Sequence, residues 1–223
     1  MRINLLTTLS IVSISVTMIA CKGEKQNQTE ATTAEEVIEA PATAVTYKID
    51  PTASTIEWAG LKPTEKHTGT LNLADGTVKV QGENIESGSF TIDMNSITVT
   101  DLEGDEKASL EGHLKGEGEG KEDHFFNVAK HPTASFEITG INEKEGKTYL
   151  EGNLTIKDTK KNISFPATTS INGDTMTLDT EVFTINRTEW GVNYGSKSVF
   201  ENLGDKFIND DIELKISVKA NKA

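Results

Sequence analysis

The chain has 223 residues, of which 35 are acidic and 22 are basic, giving a formal net charge of −13. So acidic a chain repels phosphate backbones, which argues against nucleic acid as a partner. It holds one cysteine, so no disulfide can form within the chain, and its stability has to come from a hydrophobic core.

The first 21 residues have the features of a bacterial lipoprotein signal peptide. Arg2 precedes an apolar stretch from Leu5 to Ile19, and the small residue Ala20 stands directly before Cys21. This arrangement resembles a bacterial lipobox and predicts a signal peptide over residues 1–20, with acylation of Cys21 after cleavage. An ordinary secretory signal with an accidental cysteine is one alternative. A membrane-spanning anchor is another, although the apolar run is shorter than the roughly 20 residues that a span needs.

Residues 21–44 are predicted to form a disordered tether between the acylated cysteine and the folded domain. They contain no aromatic residue and are rich in Glu, Thr, Gln and Ala, so they cannot bury enough apolar surface to offset the entropy cost of ordering. Lys22 after the cysteine is typical of an outer-membrane lipoprotein. We therefore expect a lipid-anchored protein of the cell envelope, at the outer membrane or facing the periplasm. An acidic chain is not attracted to anionic lipid, so attachment to the membrane would depend on Cys21.

Residues 45–223 show the two-residue period of half-buried strands, interrupted by turn residues. In the final strand, apolar residues from Ile212 to Val218 alternate with charged and polar ones. Turns are predicted at Asp75-Gly76 and at Asn172-Gly173-Asp174. A short helix is predicted over Asp105–Leu114, and a turn or helical corner over Glu189–Tyr194.

Nine or ten strands of this kind, with short turns and no long helical pattern between them, argue against a parallel α/β sheet. Many antiparallel strands have to hide their edges, either by closing into a barrel or by forming a sandwich. A small barrel of about eight strands has room for packed side chains or for one ligand.

Ten apolar residues on the inward faces of these strands are candidates for the lining of a ligand-binding interior. They are Trp58, Leu71, Phe90, Met94, Phe136, Ile138, Leu154, Phe165, Met176 and Leu178. The same residues would also suit a filled core, and the pattern does not separate the two. Because the inward faces carry few charges, any bound ligand would be largely apolar.

Patterns that would carry catalysis or metal binding are weak. The chain lacks a G-x-S-x-G elbow, and no serine is paired by pattern with a histidine and an acid. The four histidines form neither H-x-x-x-H nor H-E-x-x-H. The acidic stretch Glu117–Asp123 could gather carboxylates around calcium, but it lacks the register of an EF-hand loop and is better explained as a solvated loop. We therefore predict no enzyme, no metal site and no cofactor.

Several short motifs occur in the order found in a known family. Tyr47-Lys48-Ile49-Asp50 comes first, and Phe125-Phe126 is followed by Phe136. Arg187-Thr188-Glu189-Trp190-Gly191 then forms a corner before the closing Asp211-Ile212-Glu213-Leu214. Over residues 47–219 the chain resembles the YceI-like domains, a bacterial family of lipocalin-like, polyisoprenoid-binding proteins.

The resemblance implies a lipocalin-like antiparallel β-barrel over residues 45–223, with one or two short helices, that encloses an elongated apolar channel. It implies a polyisoprenoid or another long apolar lipid as the bound partner, such as an isoprenoid quinone or a carrier lipid. His113, Arg187 and Trp190 are candidates for the rim, where they would meet a head group. Alternatively, Arg187 stacks on Trp190 and ties the corner to carbonyls or a carboxylate, and His113 caps the short helix.

Two other functions remain open at this point. One is a structural or stress-protective envelope module with a filled core and no ligand, and the other is an enzyme that acts on a small lipid. The final strand could also pair across a homodimer, although nothing in the sequence requires it.

Overall fold

The computed structural model describes residues 27–223. The predicted signal peptide and the predicted acylation of Cys21 therefore lie outside the described residues. Within residues 27–223, none of the helices combines the length and the apolar character that crossing a bilayer requires.

These residues form eleven strands, one α-helix and two short 3₁₀ helices. The strands are β1 (Thr32–Thr33), β2 (Val45–Ile49), β3 (Thr55–Leu61), β4 (Lys66–Gln81), β5 (Asn84–Val99), β6 (Thr133–Lys144), β7 (Lys147–Ile156), β8 (Thr159–Asn172), β9 (Thr175–Thr180), β10 (Phe183–Asn186) and β11 (Asp211–Lys222). The helix α1 spans Gly104–Lys115, and the 3₁₀ helices span Arg187–Trp190 and Gly204–Lys206.

Eight of the strands close into a ring. Its order is β3-β4-β5-β6-β7-β8-β9-β11, and β11 pairs with β3 to complete it. Neighbouring strands in the ring are antiparallel. Closure removes the exposed edges that so many antiparallel strands would otherwise present. The predicted lipocalin-like antiparallel barrel is confirmed, and the sandwich alternative is wrong.

The tight turns 81–84, 144–147 and 172–175 lie together at one end of the barrel, which we call the closed end. The predicted hairpin at Asn172-Gly173-Asp174 is one of them and is confirmed, with Gly173 at φ 61°. The Tyr47 hydroxyl donates a hydrogen bond to the Gly173 carbonyl oxygen at 3.0 Å. Buried apolar side chains fill this half of the barrel, including Val78, Val80, Ile138, Leu150, Met176, Leu178 and Val218.

Asp75-Gly76 does not form a turn, so that prediction is wrong. The strand β4 continues through these residues, and its register with β5 shifts between Leu73 and Asp75. A Cβ atom on Gly76 would lie only 2.8 Å from the carbonyl oxygen of Ser89 on β5. The glycine therefore allows a β-bulge and the close approach of two strands, and it does not reverse the chain.

The opposite end of the barrel carries the loops 61–66, 100–132 and 187–210, of which the last two are long, and is called the open end. The predicted helix over Asp105–Leu114 is confirmed as α1, which lies in the second of these loops. The Val99 N–H donates to Glu111 Oε1 at 2.8 Å and so ties α1 to the end of β5. Gly116, at φ 82°, ends the helix in the left-handed conformation.

The structure differs from the predicted disordered tether over residues 27–35, which we call the N-terminal segment. Its strand β1 pairs with β8, with Thr32 opposite Asn162. The Thr29 N–H donates to the Thr184 carbonyl oxygen of β10 at 3.0 Å. Composition could not reveal this order, because the unpaired strand edges that accept the segment lie more than 120 residues away in sequence.

Candidate functional site

An apolar cavity of about 180 Å³ occupies the half of the barrel nearer the open end. Its walls come from inward-facing residues of the ring strands and of β10, and its mouth from α1 and the loops of the open end. The strand residues that line it are Ile56, Trp58, Gly60, His67, Leu71, Ile92, Met94, Ile97, Ala134, Phe136, Leu154, Ile156, Ile163, Phe165, Phe183, Ile185, Ile212, Leu214 and Ile216.

Aromatic side chains form the floor of the cavity. The rings of Phe165 and Phe183 stack with centroids 4.3 Å apart, and Phe136 lies 5.5 Å from Phe165. Phe90 extends this row on the far side of Phe136, at 6.4 Å. The row separates the cavity from the packed closed end, so the interior is filled in one half of the barrel and hollow in the other.

Six of the ten residues predicted to line the interior do line the cavity: Trp58, Leu71, Met94, Phe136, Leu154 and Phe165. The structure corrects the expectation for the other four, because Phe90, Ile138, Met176 and Leu178 belong to the packed core beyond the floor. All ten point inward, as the two-residue period predicts. The height of a residue along the barrel axis decides between cavity and core, and periodicity carries no information about that height.

Other lining residues were not predicted. Ile212, Leu214 and Ile216 of β11 alternate as clearly as any strand in the chain, so the sequence contained a usable signal for them. The mouth residues Leu110 and Leu114 lie one turn apart on α1, as expected for the inward face of a helix. Phe125, Phe126 and Ile208 come from loops, where no period identifies the inward side.

Polar groups in the cavity lining are confined to the open end. Among the described residues they are Lys62, His67, Arg187 and Asn209. Lys62 Nζ lies 2.9 Å from Glu65 Oε2, and this hydrogen bond and charge lower the pKa of Glu65. His67 Nδ1 lies 2.9 Å from Asp101 Oδ2. Burial opposes ionisation of Asp101, but hydrogen bonds from the Thr68 N–H and from His67 outweigh it and lower the pKa of that carboxyl.

Arg187 is buried at the corner between β10 and the loop 191–210. Its guanidinium donates to the carbonyl oxygens of Val192 at 2.6 Å, Asn209 at 3.0 Å and Ile208 at 3.2 Å. Asp210 Oδ1 lies 3.8 Å away. Burial lowers the pKa of Arg187, and the Asp210 carboxylate opposes that shift. These contacts correspond to the predicted alternative in which Arg187 ties the corner to carbonyls.

The other two predicted rim residues do not reach the cavity surface. Trp190 is 1% exposed, and its indole N–H donates to the Leu154 carbonyl oxygen at 3.0 Å. His113, in the last turn of α1, lies 2.8 Å from His124 between ring nitrogens and packs edge-on against Phe125 and Tyr194. Burial, then the charge of His124, lowers the pKa of His113.

The lining residues can shelter a hydrocarbon but offer little reactive chemistry. Among the described residues 27–223, none of those that line the cavity is a serine, threonine, cysteine, aspartate or glutamate. Within residues 27–223, no three His, Cys, Asp or Glu side chains come together as a metal site would require. The arrangement is therefore suited to an apolar ligand whose polar end stays at the mouth.

The chain is similar to several solved structures. BcnA of Burkholderia cenocepacia is 22% identical, with a TM-score of 0.61 over 78% of this chain and 99% of its own. A polyisoprenoid binding domain from Saccharophagus degradans, implicated in plant cell wall breakdown, is 13% identical, with a TM-score of 0.55 over 80% of this chain and 99% of its own. No curated protein matches the chain in sequence. The YceI-like domain family model matches residues 47–220, and the chain therefore belongs to the YceI-like domain family.

Proposed function

We propose that this protein binds the apolar chain of an isoprenoid-type lipid in its cavity and holds or carries that lipid in the cell envelope. The observation that carries the proposal is an apolar cavity whose polar lining residues, in the part of the chain described, all stand at its mouth. A lipid with a long hydrocarbon chain and a polar head suits this distribution, because the chain leaves water while the head stays hydrated. The naming of the S. degradans structure as a polyisoprenoid binding domain supports the same ligand class.

The energetics of burial are sufficient for such a complex. Burying one methylene group stabilises by roughly 0.8 kcal/mol, and a micromolar complex needs about 8 kcal/mol. A few isoprene units in a dry cavity supply that amount after the cost of ordering the chain is subtracted. No charged anchor is required, which agrees with the engagement of Arg187 by backbone carbonyls.

Attachment to the envelope membrane is the second part of the proposal. It rests on the signal-peptide pattern that ends at Cys21. Acyl chains on that cysteine would hold an acidic barrel at a membrane that does not attract it electrostatically. Labelled fatty acid supplied to expressing cells should enter the protein, and Cys21→Ser should remove the label. Label retained in that variant would contradict acylation at this position.

Mass spectrometry of organic extracts tests the ligand directly. The protein should be purified without detergent from the organism that produces it, beside a control protein prepared in the same way. A stoichiometric isoprenoid in the extract, absent from the control, would identify the ligand. An extract without lipid, combined with no saturable uptake of added isoprenoids by the folded protein, would contradict the proposal.

Two substitutions at one position separate cavity volume from fold. Leu71→Trp places an indole in the cavity, whereas Leu71→Met conserves the side-chain volume. We expect the tryptophan variant to lose saturable uptake of a fluorescent farnesyl probe and the methionine variant to keep it. Phe136→Asp should also abolish uptake, because it places a charge in the apolar floor. Equal uptake by all three folded variants would show that the cavity is not the binding site.

A structural envelope module is a second candidate function, and one observation favours it. The closed half of the barrel is packed with side chains, and the open half leaves a cavity of only about 180 Å³. Such a module predicts no ligand in the extract and no difference in envelope-lipid content between cells with and without the protein.

A further inference from the structure

The barrel wall has a gap beside the cavity. The strand β8 pairs with β9 over Ala167–Asn172, and β9 ends at Thr180. From there toward the open end, the next strand along the wall is β10, which pairs with β11 on its other side. Residues 159–166 of β8 and Phe183–Asn186 of β10 are therefore not joined to each other, and we call this region the β8–β10 gap.

The N-terminal segment fills the β8–β10 gap. On one side Thr32 and Thr33 pair with Asn162 and Lys161 of β8. On the other side Gln28 forms a bridge with Thr184 of β10. The Thr184 N–H donates to the Asn27 carbonyl oxygen at 3.2 Å. The strand order begins with β1 and ends with β10, so this bridge joins the two ends of the sheet and closes the open half of the barrel.

The β8–β10 gap lies in the wall of the cavity. Ile163 and Phe165 of β8 and Phe183 and Ile185 of β10 line the cavity from its two sides. Ala31 of the N-terminal segment packs against the same apolar cluster. None of residues 27–35 lines the cavity itself, so the segment lies behind the side chains that do.

The contacts that hold the segment are mostly polar. On the outer face of the barrel, the Glu35 N–H donates to Asn153 Oδ1 at 2.9 Å, and Asn153 Nδ2 donates to the Glu35 carbonyl oxygen at 2.8 Å. Asn153 is 1% exposed and Asn162 5% exposed, although both belong to the outward face. Asn162 Nδ2 also donates to Thr139 Oγ1 at 2.9 Å.

Detachment of this segment is therefore less costly than detachment of a ring strand. Its departure would return amide and hydroxyl groups to water, which hydrates them. Ala31 is the one side chain of residues 27–35 that packs against the apolar cluster. A strand held by few buried apolar contacts opens locally at a lower free energy than the rest of a fold.

The cavity also needs a wall that can move. Its volume of about 180 Å³ is below the roughly 300–1,000 Å³ of most ligand sites. A long isoprenoid chain therefore requires the wall to widen. Cys21 precedes Asn27 by six residues, so an extended chain could span at most about 20 Å between them. Acylation of Cys21 would keep the β8–β10 gap close to the membrane.

We propose that the N-terminal segment is a removable part of the cavity wall, and that an apolar lipid passes between membrane and cavity through the β8–β10 gap when the segment detaches. This inference rests on the proposed lipid-binding function. It assigns residues 27–35, which precede the matched domain of residues 47–220, to the binding site.

A reversible disulfide across the gap tests the inference. Thr33→Cys and Lys161→Cys lie directly opposite each other in an antiparallel pair, a spacing that a disulfide can bridge. Both are introduced into the full-length Cys21→Ser chain. We expect the oxidised form to take up a fluorescent farnesyl probe from phosphatidylcholine vesicles at least tenfold more slowly than the reduced form. Dithiothreitol should restore the rate.

A control pair lies at the closed end, where Asn172→Cys and Thr175→Cys also face each other across a hairpin. Oxidation of this pair should leave the uptake rate unchanged. If the oxidised gap variant takes up the probe as fast as its reduced form, passage through the gap is overturned while lipid binding stands. If neither form nor the unmodified protein takes up the probe, the proposed function fails, and the inference fails with it.

Hydrogen exchange on the unmodified chain provides a second measurement. The amides of Thr29 and Glu35 should exchange at least a hundredfold faster than the amides of β7 that pair with β6. Equal protection of the two sets would contradict a removable segment.

Discussion

Arg187 is a buried charge whose donors are occupied by the backbone. Three carbonyl oxygens of the loop 191–210 accept its N–H groups, and Asp210 lies close by. A planar guanidinium can serve several acceptors at fixed angles, which a lysine ammonium cannot do from the same position. The corner that closes the mouth of the cavity therefore depends on this one side chain.

We expect Arg187→Ala to lower the free energy of unfolding by about 3–5 kcal/mol, because it leaves three buried carbonyl oxygens without their donor and Asp210 without the neighbouring positive charge. Arg187→Lys should lower the free energy of unfolding as well, since one ammonium group cannot donate to all three carbonyl oxygens that the guanidinium binds. Urea titration provides the measurement. A role in holding a lipid head group predicts the opposite result, with unchanged stability and a loss of affinity for the probe.

His113 and His124 form a pair next to Phe125, a residue of the mouth. Their ring nitrogens are 2.8 Å apart, and such a contact requires at least one neutral ring. Burial and the neighbouring His124 lower the pKa of His113 below its ordinary value of 6.5. In the unfolded chain the same ring therefore takes up its proton first as the pH falls, so folding loses stability below about pH 6.5.

The matching prediction is that the melting temperature falls between pH 7 and pH 5 by less in His113→Asn than in the unmodified protein. Asparagine keeps a polar side chain at the helix end but carries no titrating group. Differential scanning calorimetry across this range measures both proteins. Parallel curves would show that His113 does not contribute to the pH dependence of stability.

At the scale of strands, glycine positions set how closely aromatic rings approach the sheet. A Cβ atom on Gly152 of β7 would lie 2.2 Å from Phe136 Cζ and 2.6 Å from the Glu137 carbonyl oxygen. Because Gly152 has no side chain, the Phe136 ring can lie against the backbone of β7, where it forms part of the cavity floor. Substitution would push the ring toward the cavity or separate β6 from β7.

Gly152→Ala should therefore lower the free energy of unfolding by about 1–3 kcal/mol. Gly140→Ala on the neighbouring strand is the matched control, because its nearest atom, Glu151 Oε2, would be 3.5 Å away. We expect the control to change stability by less than about 0.5 kcal/mol. Equal effects of the two alanines in urea titration would contradict the packing argument.

Local sequence pattern predicted some of the elements and not others. The period of two identified the strands and their inward faces, and turn residues located the hairpin at Asn172-Gly173-Asp174. The same turn residues gave a wrong prediction at Asp75-Gly76, where the glycine allows the close approach of Ser89 on another strand. The N-terminal segment was missed for a related reason, since its order comes from partners on β8 and β10.

At the scale of the molecule, ligand binding should couple to global stability. A ligand that binds only the folded barrel, present at a hundred times its dissociation constant, adds about 2.7 kcal/mol to the free energy of unfolding. For a protein of this size the melting temperature should rise by roughly 5–10 °C. Calorimetry with and without an isoprenoid alcohol measures this rise. Leu71→Trp should show none, and an equal rise in that variant would place the ligand outside the cavity.

The sequence by itself determined the class of fold, the acidic character of the chain and the apolar nature of the interior. These follow from composition and from a period that acts over neighbouring residues. The tertiary structure alone decided that Phe136 borders a cavity while Phe90 lies on the filled side of its floor, and that residues 27–35 lie between β8 and β10. Both depend on which distant strands meet at which height. Local pattern cannot supply that, because register and closure are fixed by contacts between residues far apart in the chain.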